Sequence, residues 1–462
     1  MSTFSTDRKL TFHELVGLPL ANFGPTLQTC IQMYFLLFFF TNVLGIGGTA
    51  AALIIMIARI WDFINDPLMG VLVEKTDKPE KCLFWMKAAL IPVLVFMVLT
   101  YSAPQFSTGG KIVWAAVVFI GLGMSQTAYS IPLNTLRPML TTDKVQRNRL
   151  NRVEQIVSII GNILIPSVTM PLVAVLQGFE ISAPFMVLAA LYAVIYAICS
   201  VIGLRLLKGH EHDEISQNDS KGPTITTGQM FSAMFANKVA MLVLLTQVVK
   251  MFISSTIGAS MVYYFTYNVQ NLDAMSLGSS IGGFAGLLPV LFLPALYKKF
   301  GNAGTALIGS IVGLAAMAVR FISHDANLGI IVGMYAVEAM GAQMASAMLM
   351  QCMMDSIDYG EWKTGKKTVP ILMSAYGMGT KIGLAFGSTI AGLILGALSF
   401  NPDAAVQPQN VLNSFFNINI VLPMVMYIAM ALIFFYLGKI EKKLPEMRAE
   451  VEARKLAAAE IN

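Results

Sequence analysis

Long apolar runs, each about as long as a membrane crossing, alternate with short polar segments along the whole chain. A helix needs about 20 predominantly apolar residues to cross a bilayer. Twelve segments meet that length, with cores at residues 16–40, 49–73, 84–103, 112–134, 155–177, 184–205, 239–265, 275–297, 304–323, 328–353, 371–399 and 412–437. The pattern predicts an all-α integral membrane protein with twelve transmembrane helices.

The longest polar break, residues 209–228, separates the spans into two groups of six and is too polar to pack. The first span ends in FFTN at residues 39–42, and the seventh ends in the similar YFTY at residues 264–267. A repeat in this position is typical of transporters built from two six-helix halves. The predicted organisation is one half at residues 1–208, a cytoplasmic linker at 209–228, a second half at 229–438, and a cytoplasmic tail at 439–462. Residues 441–462 are charged and alanine-rich, which predicts a cytoplasmic helix or a frayed tail, with a solvated end as the favoured interpretation.

Composition supports a membrane protein, because 56% of the residues are hydrophobic and only 12% are charged. Soluble domains carry roughly 25% charged residues. The net charge of +5 requires no nucleic-acid partner, since 24 of the 31 lysines and arginines lie in the termini and in alternate loops. The opposite loops contain only Lys111. The positive-inside rule therefore predicts that both termini are cytoplasmic. The expected location is a bacterial-type cytoplasmic (inner) membrane.

The second span carries two acids and a base at positions where charge is costly, which suggests a functional role. Asp62 and Asp66 are four residues apart and Arg59 precedes Asp62 by three, so all three share one helix face, with Asn65 beside them. Two carboxylates and an amide oxygen suit a small hard cation, and Arg59 offsets negative charge while the cation is absent. The alternative is a helix-packing salt bridge without a role in transport.

Four other charged residues lie inside later spans: Lys250, Arg320, Glu338 and Lys381. Lys381 is about ten residues into its span, too deep for easy snorkelling. The small residues around it, in YGMGTKIGLAFG at 376–387, permit close helix approach and a cavity. Arg320 is near a span end, where snorkelling is the default expectation. The sequence leaves the roles of Lys250 and Glu338 open.

The chain lacks a phosphate-binding P-loop and any convincing catalytic grouping, so neither ATP hydrolysis nor an enzyme activity is predicted. The four cysteines have no paired or metal-type spacing and are expected to be core residues. No cofactor is expected. The remaining source of energy is an ion gradient, which predicts a secondary active transporter.

Four motifs in order resemble the glycoside–pentoside–hexuronide:cation symporters, the branch of the major facilitator fold typified by the melibiose permease. They are RxxDxxNDPxMG at residues 59–70, the stretch from Ile131-Pro132 through Arg137-Pro138 to Asp143-Lys144, DxxDYGEWKTG at residues 355–365, and Lys381. Each alone is weak, but four at family-like spacing are specific, and the similarity covers nearly the whole chain.

The resemblance implies that Asp62 and Asp66 are the principal cation ligands, assisted by Asn65 and by Thr127 on the fourth helix. It places Lys381 near both the cation and the sugar. The oxygen set favours sodium or lithium, although a paired carboxylate can also bind a proton. We expect a cytoplasmic gate that includes Gly70, Arg137, Asp143, Arg152, Asp355, Asp358 and Glu361.

On the sugar side the chain departs from the pattern. An aspartate on the first helix of the melibiose permease corresponds to Thr26, and an aspartate, a tryptophan and an arginine further along correspond to Ser130, Asn134 and Gln155. Carboxylates normally hold sugar hydroxyls by charge-assisted bonds, so their loss argues against galactosides. With Arg59, Lys250 and Lys381 retained, an anionic hexuronide is one hypothesis. The candidate substrate contacts are Asn22, Thr26, Gln28, Ser130, Asn134 and Gln155, with Arg59, Lys250 and Lys381 as substrate-binding or coupling residues.

The sequence thus predicts a cation-coupled, preferably sodium-coupled, symporter of a sugar, glycoside or hexuronide-like solute that works by alternating access. Its expected partners are this solute, a monovalent cation and membrane lipid, with no nucleic acid, and we expect a monomer. The alternative within transport is a carrier of lysolipids or other amphiphiles. A non-transporting sensor on the same fold is the alternative from another class.

Overall fold

The computed structural model describes residues 10–140, 144–211, 235–325, 327–365, 369–398, 400–402, 404 and 406–460, and all regular secondary structure within these ranges is helical. The helices are α1 (Phe12–Phe38), α2 (Gly48–Glu74), α3 (Lys81–Thr100), α4 (Thr108–Leu140), α5 (Lys144–Gly178), α6 (Pro184–Leu207), α7 (Lys238–Tyr263), α8 (Leu272–Ala285), α9 (Pro289–Ser323), α10 (Leu328–Thr364), α11 (Val369–Ala397), α12 (Gln409–Phe416), α13 (Leu422–Glu441) and α14 (Leu444–Glu460). The π-helical turns Phe39–Val43, Tyr264–Val269 and Asn417–Val421 extend α1 and α7 and join α12 to α13.

Eleven helices in these described ranges are long and apolar enough to cross a membrane, which supports the predicted all-α membrane fold. The eighth predicted span differs from the expectation of one continuous helix. It consists of α8, a turn at residues 286–288, and the beginning of α9 up to a break at Gly301. Gly301 has φ = +76°, a conformation that side chains disfavour, so the chain bends there and the ninth span begins at residue 302.

In each predicted half, a glutamate caps the N-terminus of the third span, which is α3 in the first half and the part of α9 after Gly301 in the second. In the first half, Glu211, which follows α6, accepts hydrogen bonds from the backbone N–H groups of Cys82 (3.0 Å) and Leu83 (3.4 Å). In the second, Glu441 at the end of α13 accepts them from Asn302 (2.6 Å) and Ala303 (2.8 Å). A carboxylate at a helix N-terminus satisfies unpaired donors and complements the helix dipole. The internal repeat is thus visible in local structure as well as in the weak sequence echo.

The two similar motifs FFTN and YFTY occupy matching positions too. Each falls in a π-helical turn that prolongs the first helix of its half, Phe39–Val43 after α1 and Tyr264–Val269 after α7. Such turns are rare and are retained mostly where function or packing requires them. The repeat therefore preserves an unusual backbone geometry, which the amino-acid sequence alone did not reveal.

By its internal contacts the chain divides into two compact units, Met1–Pro223 with Gly392–Gln407, and Thr224–Ala391 with Pro408–Asn462. The predicted linker falls mostly at residues outside the described ranges.

In each unit a pair of glycines allows two helices to touch. A Cβ on Gly203 of α6 would lie 2.7 Å from the Gly17 carbonyl oxygen of α1, and a Cβ on Gly341 of α10 would lie 2.6 Å from that of Gly309 on α9. Close backbone approach of this kind is the usual way membrane helices associate.

The charged C-terminal segment is a helix, α14, and several of its charged side chains contact the end of α10. Arg448 of α14 pairs with Asp355 (3.0 Å) and Asp358 (2.7 Å) near the end of α10. One turn further along, the Trp362 indole N–H donates to Glu450 (2.7 Å), and Arg454 donates to the Trp362 carbonyl oxygen (3.0 Å). The charged residues of α14 therefore make specific contacts within the second unit.

Arg320 also differs from expectation, because its side chain is fully buried instead of snorkelling. It donates to Asp325 (2.7 Å) and to Asn419 (3.3 Å), and its guanidinium lies 4.4 Å from the ring centroid of Tyr335. Tyr335 donates to the same Asn419 oxygen at 2.7 Å. Asn419 lies in the π-helical turn before α13, so this network ties the end of α9 to α10 and α13. Glu338, whose role the sequence left open, accepts a hydrogen bond from Tyr427 (2.5 Å).

Candidate functional site

Two acidic residues of α2, Asp62 and Asp66, face α4 at positions one helical turn apart. Asp66 accepts a hydrogen bond from the Thr127 hydroxyl at 3.0 Å. Four residues earlier on both helices, Asp62 faces Gly123, where a Cβ would lie only 2.6 Å from the Asp62 Oδ1 atom. The spacing of four on α2 therefore matches a spacing of four on α4. Asp62, Asn65 and Asp66 are all partly buried, and Thr127 is buried.

Arg59 balances the charge at one end of this cluster. Its Nη1 atom lies 3.4 Å from the Asp62 Oδ2 atom, and its Nη2 donates to the Gln32 oxygen of α1 at 3.2 Å. The guanidinium also lies 6.0 Å from the centroid of the Phe119 ring on α4. The described contacts thus bring together two carboxylates, one hydroxyl and one positive charge, and Asn65 precedes Asp66 on α2. Such a set of hard oxygens suits a small alkali cation better than a transition metal.

Gly123 gives a sharp test of this geometry. In Gly123→Ala the added Cβ would push the Asp62 carboxylate away, because 2.6 Å is shorter than any normal contact. A carboxylate at the end of a side chain can move at small cost, so we expect stability to change little. For the sodium coupling that the sequence predicts, we expect the sodium concentration for half-maximal stimulation of uptake to rise about tenfold, the equivalent of about 1.4 kcal/mol.

The matched control for this change is Gly109→Ala on the same helix, where a Cβ would meet nothing within 4 Å. Sodium titrations of solute uptake in vesicles, run on both variants and on wild type, compare the two. An unchanged sodium requirement in Gly123→Ala would mean that the position of the Asp62 carboxylate is irrelevant to cation use.

In the second unit the glycines around Lys381 bring α11 against α7, as the small-residue pattern predicted. A Cβ on Gly383 would lie 2.4 Å from the Val248 carbonyl oxygen. Next to Lys381, Thr380 accepts a hydrogen bond from Gln247 of α7 at 2.7 Å. Lys250, which lies on α7 like Gln247, donates to Ser346 of α10 at 2.6 Å. Lys250 is therefore held by a neighbouring hydroxyl.

The predicted substrate contacts are distributed over three helices of the first unit. Thr26 of α1 lies against α5, where a Cβ on Gly161 would be 3.0 Å from its methyl group, and its hydroxyl donates to the Asn22 carbonyl oxygen at 2.9 Å. Gln28 is buried, and its Oε1 atom has no hydrogen-bond partner among the described residues. Of the others, Ser130 is half-buried, and Asn134 and Gln155 are exposed.

The predicted gate residues lie in separate clusters in the described part of each unit. Arg137, in the last turn of α4, forms an ion pair with Glu154 of α5 at 2.9 Å, whereas Arg152 is exposed. Gly70 is half-buried with open space beside it. Asp355 and Asp358 share Arg448, and Glu361 follows them on α10. Asp143 lies outside the described residues.

Several residues of these clusters escaped the sequence analysis. Gln32 carried a usable signal, since it is a polar side chain within an apolar span. Glu154 did too, as an acid one residue before the predicted start of the fifth span. Gly123 had no distinguishing signal, because glycines are common in these helices and only its partner across the helix interface gives it a role.

Comparison with known proteins places this chain in a family. Residues 18–441 match the family model described as MFS/sugar transport protein. The isoprimeverose transporter of Lactiplantibacillus pentosus is 28% identical over 450 residues, which cover 94% of this chain and 90% of that protein. The glucuronide carrier protein homolog of Escherichia coli (strain K12) is 23% identical over 464 residues, with 97% of each chain covered.

Among solved structures, the nucleoside transporter NupG superposes with a TM-score of 0.61 at 15% identity. The match covers 92% of this chain and 99% of that one. At this level of identity the likeness concerns the fold alone.

Proposed function

We propose, from the premise that this chain belongs to the MFS/sugar transport protein family, that it is a sodium-coupled symporter of a small glycoside. The chain is a multi-pass membrane transporter of the major facilitator superfamily and not an enzyme. The resemblance to the glycoside–pentoside–hexuronide:cation symporters is confirmed by the family match and the relatives. Sodium as the coupling ion, the solute and the orientation in the membrane are the proposed parts.

The observation that supports cation coupling most directly is the pairing of α2 with α4. Two partly buried carboxylates one turn apart, one of them bonded to the Thr127 hydroxyl and the other to Arg59, form a compact oxygen-rich cluster in the first unit. A sodium ion there would coordinate to Asp62 and Asp66, with Asn65 and Thr127 as further oxygens. By linkage, solute binding would raise sodium affinity by the factor by which sodium raises solute affinity.

A neutral glycoside is favoured over an anionic hexuronide by the contacts of the basic residues. Arg59 already pairs with Asp62, and Lys250 already donates to Ser346. Of the three cations that motivated the hexuronide hypothesis, Arg59 is thus offset by a carboxylate, and Lys250 is held by a neutral hydroxyl. The name of the isoprimeverose transporter also supports a neutral glycoside. The name of the glucuronide carrier homolog is the reason for including a glucuronide in the experiment below.

We further propose that both termini face the cytoplasm of a bacterial inner membrane and that transport proceeds by alternating access. The excess of basic residues in alternate loops supports this orientation. Arg448, Arg454 and the acids they contact would then lie on the cytoplasmic side, at the end of α10.

The test is uptake into proteoliposomes containing purified protein, with and without an inward sodium gradient. The panel contains isoprimeverose, xylose, melibiose, methyl glucuronide and a lysophospholipid. We expect sodium-dependent accumulation of a neutral sugar, and competition by other neutral sugars. Accumulation of methyl glucuronide alone would contradict the proposed solute class, and transport of the lysophospholipid alone would identify an amphiphile carrier.

A further inference from the structure

A cleft of about 390 Å³, lined by both polar and apolar side chains, opens in the second unit where α7 ends and α10 begins. That volume is within the range of sites for small molecules. Its walls include Tyr264 and Asn268 from the π-helical turn after α7, His324 and Asp325 from the turn after α9, and Phe416 from the end of α12. None of these residues belongs to the predicted cation site or gate.

The backbone around this cleft is unusual. His324 and Asp325 are consecutive non-glycine residues with φ of +46° and +50°, and Gln270, just before α8, has φ = +54°. Left-handed conformations at such residues are disfavoured, and they persist where the surrounding structure holds them in place. The cleft is also lined by the π-helical turn Tyr264–Val269. Both features are commonest near functional sites.

The polar groups of the cleft suit hydroxyls. Asn268 lines the cleft, and its Nδ2 donates to the Leu412 carbonyl oxygen at 2.9 Å. Asn271 and Asn327 use their side-chain oxygens to cap α8 and α10, both at 3.0 Å, so their amide nitrogens are the groups they can offer to a ligand. Amide donors around one space can bind the hydroxyl oxygens of a polyhydroxylated ring.

The cleft also has an aromatic wall. The rings of His324 and Phe416 lie 5.7 Å apart at an interplanar angle of 30°. A mainly apolar or aromatic surface with a few placed polar groups is the usual make-up of a small-molecule site. The apolar face of a sugar ring could rest against this wall while its hydroxyls reach the carboxamides.

Its charge is balanced. Asp325 accepts hydrogen bonds from Arg320 at 2.7 and 3.1 Å and another from the Tyr264 hydroxyl. The guanidinium therefore neutralises the carboxylate, which disfavours both a bare cation and an anion as the ligand. Asp325 is instead held rigidly, and the turn that carries it shapes one wall of the cleft.

We infer that this cleft is a second solute site, which binds a neutral sugar ring at the end of the second unit where α10 begins. The inference rests on the proposed function, since it assigns the cleft to the same class of solute. Because α14 docks at the other end of α10, a cytoplasmic C-terminus places the cleft on the outer face. The site would then hold solute close to the entrance before transport.

The test measures protection of a thiol at the rim. Leu328 is 40% exposed and lines the cleft, so Leu328→Cys on a Cys199→Ser background gives a reporter for a membrane-impermeant maleimide. Cys30, Cys82 and Cys352 are buried and can stay. A neutral sugar at ten times its dissociation constant should slow labelling about tenfold, because occupancy protects by one plus the ratio of concentration to dissociation constant.

Three comparisons make the result specific. Val406→Cys, 80% exposed and outside the cleft, should be labelled equally with and without sugar. Phe416→Ala and Asn268→Ala should each abolish protection of Cys at position 328, whereas Phe435→Ala, which removes an exposed ring elsewhere, should not. Circular dichroism and thermal unfolding of each variant establish that it is folded.

The sugars used are isoprimeverose, xylose and melibiose, with methyl glucuronide as the charged counterpart. Protection by none of them, or by methyl glucuronide alone, would overturn the inference. Protection should persist in Asp66→Asn, since Asp66 lies in the other unit. If wild type accumulates none of these sugars, the proposed function fails, whereas accumulation without protection removes the cleft site alone.

Discussion

Asp66→Asn is expected to abolish sodium-driven accumulation of solute while leaving the protein folded. Asparagine keeps the shape of the side chain and can still accept the hydrogen bond from Thr127, so only the negative charge is lost. One cation moving down 100 mV supplies about 2.3 kcal/mol. That energy corresponds to about 50-fold accumulation, and we expect the accumulation ratio of the variant to fall to one.

Two measurements separate lost coupling from a damaged carrier. Counterflow of labelled solute, which needs no ion gradient, should persist in Asp66→Asn even though accumulation is lost. Asp273→Asn is the matched control, because it removes an exposed acid from the first turn of α8 and should leave sodium dependence intact. Normal sodium-driven accumulation by Asp66→Asn would exclude this carboxylate from the coupling mechanism.

Arg320→Met is expected to destabilise the second unit by about 3–5 kcal/mol, the usual cost of breaking a buried ion pair. The change leaves the Asp325 carboxylate buried at 3% exposure with no guanidinium, and it removes two donors from Asn419. The end of α9 would lose its connection to α10 and α13. Thermal and denaturant unfolding of purified protein in detergent measure this effect.

The double variant Arg320→Met/Asp325→Asn should recover much of the lost stability, because it removes the stranded charge. Asparagine is suited to this position, since it tolerates the left-handed backbone found at residue 325 better than most residues do. Arg149→Met, at an exposed arginine of α5, serves as the control. A single variant as stable as wild type would show that the network contributes nothing to the fold.

Much of the fold could be read from the sequence, since the bilayer imposes strong constraints. Backbone polar groups in lipid must be satisfied within a helix, so each apolar run of sufficient length predicts a span. The eighth span was the exception, because its break depends on Gly301 and on a turn at residues 286–288 within an apolar stretch. The hydrophobicity of a segment indicates that it lies within the membrane, but it does not indicate whether its helix is continuous.

The amino-acid sequence alone determined that α2 carries Arg59, Asp62 and Asp66 on one face, because helical periodicity fixes that arrangement whatever surrounds it. They also predicted the close approach at Gly383, since small residues are the only ones that admit a neighbouring backbone. Tertiary structure alone decided that Gly123 makes room for Asp62, that Arg320 is buried against Asp325, and that α14 docks on α10. Each of these depends on a partner far away in sequence, and a local pattern carries no record of which distant residue it will meet.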